Sequence, residues 1–260
     1  MSQQSDHLLD RIEAPHLTIW QPEVVECTLG VQGDFIHLDH AYELFSALSR
    51  KYVDLHDPSL KVGIFGINGI PDKHNKTILQ LSDRSKQRLR LRIQDVGIAY
   101  RLEHQSLIVG NYSVQLGEVS IGLLQPSPNL KARLITIKGA ETGDGFLSSA
   151  RSQLDRLNVH ANIELDCHSD GRSKYKTIKV RGFTVVCFGL TVTNLSPIES
   201  LILQQEGIGG KRKMGCGMFT PVNREENDET QNYTTAGRSS SDNTSQCGNS
   251  RVSHDVSSVG

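Results

Sequence analysis

The chain is read as α+β, with two ferredoxin-like domains in tandem followed by a disordered tail. Three observations give that reading. Strand-length apolar runs alternate with amphipathic stretches of about ten residues or more. The order strand–helix–strand–strand–helix–strand occurs twice, interrupted between the two by Pro126 and Pro128. After Val222 the composition changes to Asn, Ser, Thr, Asp and Glu with no periodicity.

In the first half, Val24 to Val31 is a strand. Asp39 is a candidate N-cap for a helix from His40 to about Leu55. Its apolar stripe is Ala41, Leu44, Phe45, Leu48, Tyr52 and Leu55, and Pro58 forbids continuation. Val62 to Ile67 and Thr77 to Leu81 follow as strands. Arg88 to Ile93 alternates strictly, with three arginines on one face and Leu89, Leu91 and Ile93 on the other. Asp95 to Gln105 is a helix and Ser113 to Leu124 a strand.

The second half repeats the order. Arg133 to Lys138 is a strand, and Gly145 to Leu157 a helix with Phe146, Ala150, Leu154 and Leu157 inward. Asn162 to Asp166, Lys174 to Arg181 and Phe183 to Val192 are strands. Ser196, Pro197 and Glu199 spell a capping box with proline in the first turn. That helix runs to Glu206 and stops at Gly207, and Gly217 to Pro221 makes a last short strand. The halves fall at about 22–124 and 130–221, between a loose segment 1–21 and the tail 222–260. The order is also that of RNA-recognition motifs, and the halves share no residue-level similarity.

The chain has 260 residues, of which 37% are hydrophobic and 22% charged, and a formal net charge of −1. A uniformly basic nucleic-acid protein is excluded, but the tail holds six acidic and only three basic residues, so residues 1–221 carry a formal +2. No run of 18 apolar residues exists, so no transmembrane helix is expected. Met1 to Asp10 is polar and lacks the apolar core of a secretory signal, so the expected location is cytoplasmic and the five cysteines read as thiols. The glycosylation sequons at Asn232 and Asn243 then read as chance in a polar tail.

The most informative segment is Gly207 to Gly217, GIGGKRKMGCG. Five glycines allow close backbone approach, and Lys211, Arg212 and Lys213 lie among them. Polyanion binding is the natural reading, with Gly209 and Gly210 offering amides beside the three cations; the alternative is a solvated basic turn. A P-loop is rejected because Lys211 is followed by Arg212, and a dinucleotide fingerprint because position 212 is not glycine. Arg88, Arg90 and Arg92 on one strand, and Lys179 with Arg181 on another, are further candidate phosphate contacts. Aromatic residues are only 5% of the chain, which argues against base stacking on a sheet face. His37 with His40, and Cys167 with His168, match no common metal-ligand spacing, so no metal site is expected.

Glu206 to Thr220 resembles the glycine-rich loop of the CRISPR-associated repeat-cleaving endoribonucleases, the sixth Cas family, and most closely its type I-MYXAN subtype. The likeness continues through Val31 to Asp34, Leu38 to Tyr42, Ala47 to Arg50, Leu55-His56, Val62 to Ile64, Ala132 to Gly139 and Phe146 to Leu154, in order, over about 25–221. The resemblance implies two ferredoxin-like domains and binding of CRISPR repeat RNA. It implies a single cleavage per repeat without metal or small-molecule cofactor, by attack of a ribose 2′-hydroxyl, giving 2′,3′-cyclic phosphate and 5′-hydroxyl ends. Other subunits of a CRISPR interference complex are further candidate partners, and a membrane is not.

Such chemistry needs a base, an acid and cations near the phosphorane. The family carries a histidine in or just after the first helix, which here is His56 or His40. On one straight helix they would stand about 24 Å apart and could not share a phosphate. The resemblance favours His56, with His40 second; Tyr42, Ser49 and Lys61 could assist. The competing readings are a non-catalytic RNA-binding subunit of the same fold and a small-ligand enzyme on a ferredoxin-like scaffold. Truncation at Val222 is expected to leave cleavage intact.

Overall fold

The computed structural model describes residues 22–81 and 87–222. The expectations for the first 21 residues and for the tail beyond Val222 lie outside the described residues. Within them the α+β class and both ferredoxin-like sheet orders are as the sequence predicts.

The first half begins with β1 (Val25–Gln32), in which Cys27, Leu29 and Val31 alternate inward. A short β2 (Phe35–His37) leads to α1 (Ala41–Lys51), which buries Leu44, Ala47 and Leu48. Then come β3 (Val62–Ile64), β4 (Ile70–Pro71), β5 (Ile78–Gln80) and β6 (Arg88–Ile93). Helix α2 (Val96–Leu102), capped by Asp95, precedes a hairpin of β7 (Ser106–Val109) and β8 (Tyr112–Gly122). The main sheet runs β3-β6-β1-β8-β7. Strands β2, β5 and β4 form a separate small sheet. Helices α1 and α2 and the apolar side of the main sheet enclose one core, while the opposite side meets the second half at Arg92 of β6.

The second half contains β9 (Leu130–Ile135), α3 (Gly143–Arg156), β10 (Asn162–Leu165), β11 (Tyr175–Val180), β12 (Phe183–Thr193), α4 (Pro197–Glu206) and β13 (Thr220–Pro221). Its sheet runs β10-β12-β9-β13, with β11 also paired to β12. Phe146 of α3 meets Phe188 of β12 with ring centroids 4.8 Å apart, in a second core shared with Leu130, Leu154 and Leu190. The capping box of α4 is complete: Ser196 Oγ accepts from Glu199 N, and Glu199 accepts from Ser196 N.

Three expectations are corrected. The first helix ends at Lys51, not Leu55; the chain leaves it at Tyr52 and makes a separate 3-10 turn over Val53–His56. Asp39 does not cap it. His40 occupies the cap position without a side-chain cap, and Asp39 instead accepts the backbone N–H of Lys179 at 2.6 Å, because the end of β11 packs there. Strand β7 was not anticipated, although Gly110-Asn111 between Val109 and Tyr112 is a two-residue turn signal, with Gly110 at φ 62°. No helix among the described residues is long and apolar enough to cross a membrane.

Candidate functional site

The segment after β3 and the end of α1 meet the glycine-rich loop, so the site is assembled from both halves. The loop leaves α4 at Gly207 (φ 59°), makes a short turn at Arg212–Met214 between the left-handed Lys211 and Gly215, and enters β13. Its glycines serve close approach. A Cβ on Gly209 would stand 2.5 Å from Thr136 O, and one on Gly217 would stand 2.2 Å from Ile208 O. The loop amides are used within the protein. Gly209 N donates to Gln153 Oε1 (2.7 Å), Gly210 N to Thr136 O (2.9 Å) and Gly217 N to Leu134 O (2.7 Å). The Gly209 and Gly210 amides, expected to face a polyanion, thus already have acceptors within the protein.

The three cations of the loop differ. Lys211 is exposed. Arg212 turns back and donates to Gln205 O, burial holds its pKa below the usual range, and its Nε has no hydrogen-bond partner among the described residues. Lys213 reaches across to the first half and donates to Leu55 O (2.6 Å) and Asp57 O (2.8 Å). Lys61 is engaged by two carboxylates, Glu206 at 2.9 Å and Glu23 at 3.0 Å.

The two candidate histidines have opposite surroundings. His40 is 5% exposed; its Nδ1 donates to His37 O (2.7 Å) and its Nε2 accepts from Ile67 N (2.9 Å). That pattern fixes one neutral tautomer, and burial pushes the imidazole pKa below its usual value. His56 lies at the end of the 3-10 turn and is exposed, with its ring edge-on to Phe45 at 5.4 Å. Leu55, 2% exposed, anchors that turn in the core. Of the possible assistants, Tyr42 Oη accepts from Arg181 Nε at 3.3 Å and Ser49 is buried, donating to Ser46 O.

The arginines of β6 do not form a uniform outer face. Arg88 is exposed and Arg90 half-buried over the Phe65 ring, 4.4 Å from its centroid. Arg92 is only 1% exposed. It donates to Glu26 Oε2 (3.2 Å), to Gln204 O (2.9 Å) and to Phe219 O. It is thus a buried tie between the halves, and burial, opposed by Glu26, pushes its pKa down to about 10. Unlike Arg88, Arg92 is therefore not an exposed cation. Beside Arg88, the polar side of the main sheet carries an open groove of about 750 Å³ lined by Thr28, Gly30, Gln32, Gly117 and Ser120.

On the second half, Lys179 and Arg181 are exposed at the β11–β12 turn, where Arg181 (φ 51°) and Gly182 (φ 83°) are both left-handed. Lys174 and Lys176, which the sequence places with Lys179 and Arg181 in a second basic strand, are joined by Lys131 and Arg133 of β9. Lys176 has its pKa lowered by burial and by Arg133, Lys174 and Lys131, with Asp166 opposing. The signal for this joint group lies in the alternation of Lys131 with Arg133 and of Lys174 with Lys176.

The family model described as Cas6 Crispr matches residues 25–224. A CRISPR-associated endonuclease Cas6 of Myxococcus xanthus (strain DK1622) is 36% identical over 200 residues, covering 77% of this chain and 82% of that protein. Among solved structures, a CRISPR associated protein Cas6 superimposes with a TM-score of 0.56 at 16% identity, covering 77% of this chain and all of that one. The product of a Cas6-related gene from Pyrococcus furiosus gives 0.55 at 12% identity, covering 78% of this chain and all of that one. A RAMP protein described as binding different RNA substrates gives 0.53 at 14%, covering 76% and 100%. With the family model spanning both halves, the glycine-rich loop included, this chain belongs to the Cas6 family of CRISPR-associated endonucleases.

Proposed function

We propose that the chain is a metal-independent endoribonuclease that binds CRISPR repeat RNA and cleaves it through the ribose 2′-hydroxyl, with His56 as the catalytic base. The observation that carries this reading is the contrast between the histidines. His56 is exposed beside the glycine-rich loop, whereas both ring nitrogens of His40 are held by backbone groups. The endonuclease activity named for the M. xanthus relative supports it.

In this mechanism the imidazole of His56 takes the 2′-hydroxyl proton as the 2′-oxygen bonds to phosphorus. The P–O5′ bond breaks, and the 5′-oxygen takes a proton from water. The products are a 2′,3′-cyclic phosphate and a 5′-hydroxyl. Lys211 is the exposed loop cation available to the phosphorane oxygens. Arg88, Lys179 and Arg181, with the group around Lys176, supply exposed or half-exposed positive charge for the RNA backbone. The halves 22–124 and 130–221 act as two domains that share one RNA.

The test is incubation of the protein with labelled repeat RNA in EDTA, beside RNA carrying a single 2′-deoxy substitution at the cut. Cleavage of the first alone, lost in His56→Ala with binding retained, is the expected result. Binding without cleavage identifies an RNA-holding subunit instead.

A further inference from the structure

Lys213 is a cation in a glycine-rich loop, and its sequence context points to phosphate. Its geometry points elsewhere. The ammonium donates to Leu55 O at 2.6 Å and to Asp57 O at 2.8 Å, the carbonyls on either side of His56 and more than 150 residues away in sequence. Leu55 anchors the turn that carries His56 in the core, and the His56 ring packs on Phe45, but neither contact engages these carbonyls. The turn's backbone bonds are Leu55 N to Tyr52 O (3.1 Å) and Asp57 N to Asp54 O (2.9 Å), and the Asp57 carboxylate is taken by Ser59 N and Oγ. The carbonyls at the end of a helical turn lack intrahelical donors, and Lys213 supplies them.

The loop is shaped to deliver this side chain. Lys211 and Gly215 flank the Arg212–Met214 turn in left-handed conformation. A Cβ on Gly215 would stand 3.4 Å from Ile64 O and 3.7 Å from Gly66 N, so the turn lies directly against the segment at the end of β3. At Gly63 a Cβ would collide with Met218 of the same loop, at 2.2 Å.

We infer that Lys213 is a positioning residue: from the glycine-rich loop it fixes the turn that presents His56, and it makes no phosphate contact. The inference rests on the assignment of His56 above. It makes the loop part of the catalytic frame, so that relative movement of the halves moves the base.

The experiment uses the full chain with labelled repeat RNA and the variants Lys213→Met, Lys213→Arg, His56→Ala and the Lys213→Met/His56→Ala double. Single-turnover rate at saturating protein and Kd across a salt series are measured for each. Lys213→Met is expected to lower the saturating rate by about tenfold to a hundredfold, the scale of a misplaced catalytic group. Its Kd stays within about twofold and its salt dependence is unchanged, because no phosphate contact is lost. Lys213→Arg recovers part of the rate, since a guanidinium can also bridge two carbonyls. The double variant is no slower than His56→Ala, because groups acting as a unit are not additive. Lys213→Gln takes the place of Lys213→Met if the latter does not fold.

A normal saturating rate in Lys213→Met overturns the inference. So does weaker binding with a salt slope reduced by about 0.7–0.9, the mark of one lost phosphate contact. If His56→Ala cleaves at the wild-type rate, the assignment of His56 falls and this inference with it. If His56→Ala is inactive while Lys213→Met is not, only the inference falls.

Discussion

The Nε2 of His40 accepts the backbone N–H of Ile67 at 2.9 Å, tying the start of α1 to the segment after β3. This hydrogen bond requires an unprotonated nitrogen. Protonation of His40 therefore removes an acceptor inside the core and leaves a charge there.

His40→Ala is expected to destabilise the fold by about 2–3 kcal/mol, since it leaves the Ile67 N–H and the His37 carbonyl without partners. Stability also depends on pH. Burial lowers the folded-state pKa of His40 from its ordinary 6.5, so below that pH the unfolded chain takes up a proton that the folded chain refuses. Stability falls as pH drops below about 6.5 and is regained as it rises. Urea unfolding between pH 8 and pH 5 measures this, and the His40→Ala variant should show a shallower dependence. An unchanged dependence in that variant would place the acid sensitivity elsewhere.

Arg92→Met and Arg88→Gln should separate tie from contact. Arg92→Met removes the donor shared by Gln204 O and Phe219 O and leaves Glu26 without it. A loss of about 3 kcal/mol is expected, the low end for breaking a buried pair because the Glu26 side chain is 25% exposed. Thermal unfolding reads it. Arg88→Gln is expected to leave stability within about 0.5 kcal/mol. It should reduce the slope of log K against log salt for repeat RNA by about 0.7–0.9.

The glycines of the loop are not equivalent. At Gly209, φ is 77° and a Cβ would press on Thr136 O, so Gly209→Ala should destabilise by about 1–3 kcal/mol and lower the cleavage rate with it. At Gly210 a Cβ would meet nothing within 4 Å, and Gly210→Ala should leave the unfolding midpoint in place. Equal effects of the two substitutions on thermal unfolding would show that the loop is not held against β9 as described.

Lys211→Gln tests the exposed loop cation. Repeat-RNA binding should weaken with a salt slope lower by about 0.7–0.9, in contrast to Lys213→Met. Filter binding across 50–300 mM salt distinguishes the pair on one substrate.

The class, the ferredoxin-like order within each half and the family are legible in the amino-acid sequence, whereas the short strands β2, β4 and β7 are not. Periodicity carries this information locally: Cys27, Leu29 and Val31 alternate inward in β1, and Ser196, Pro197 and Glu199 set the start of α4 within their own turn. The glycine-rich segment was also legible as a functional element, because so many glycines around three cations have few structural uses.

The burial and partners of each charged or titratable side chain come from the tertiary structure instead. Arg88, Arg90 and Arg92 are identical in pattern, yet one is exposed and one sealed, because Gln204 and Phe219 of the other half come to rest on the end of β6. His40 and His56 are alike in sequence terms. The first is held by the carbonyl of His37 three residues before it and by Ile67 N from the segment after β3, whereas the second is left exposed beside Lys213. The helix ended early for a related reason: at Tyr52 the chain turns off so that Leu55 enters the core, which no i, i+3, i+4 pattern reveals. Periodicity is a property of neighbours along the chain, whereas burial, charge pairing and protonation also depend on distant residues, such as Gln204 and Phe219 on Arg92 and Lys213 beside His56.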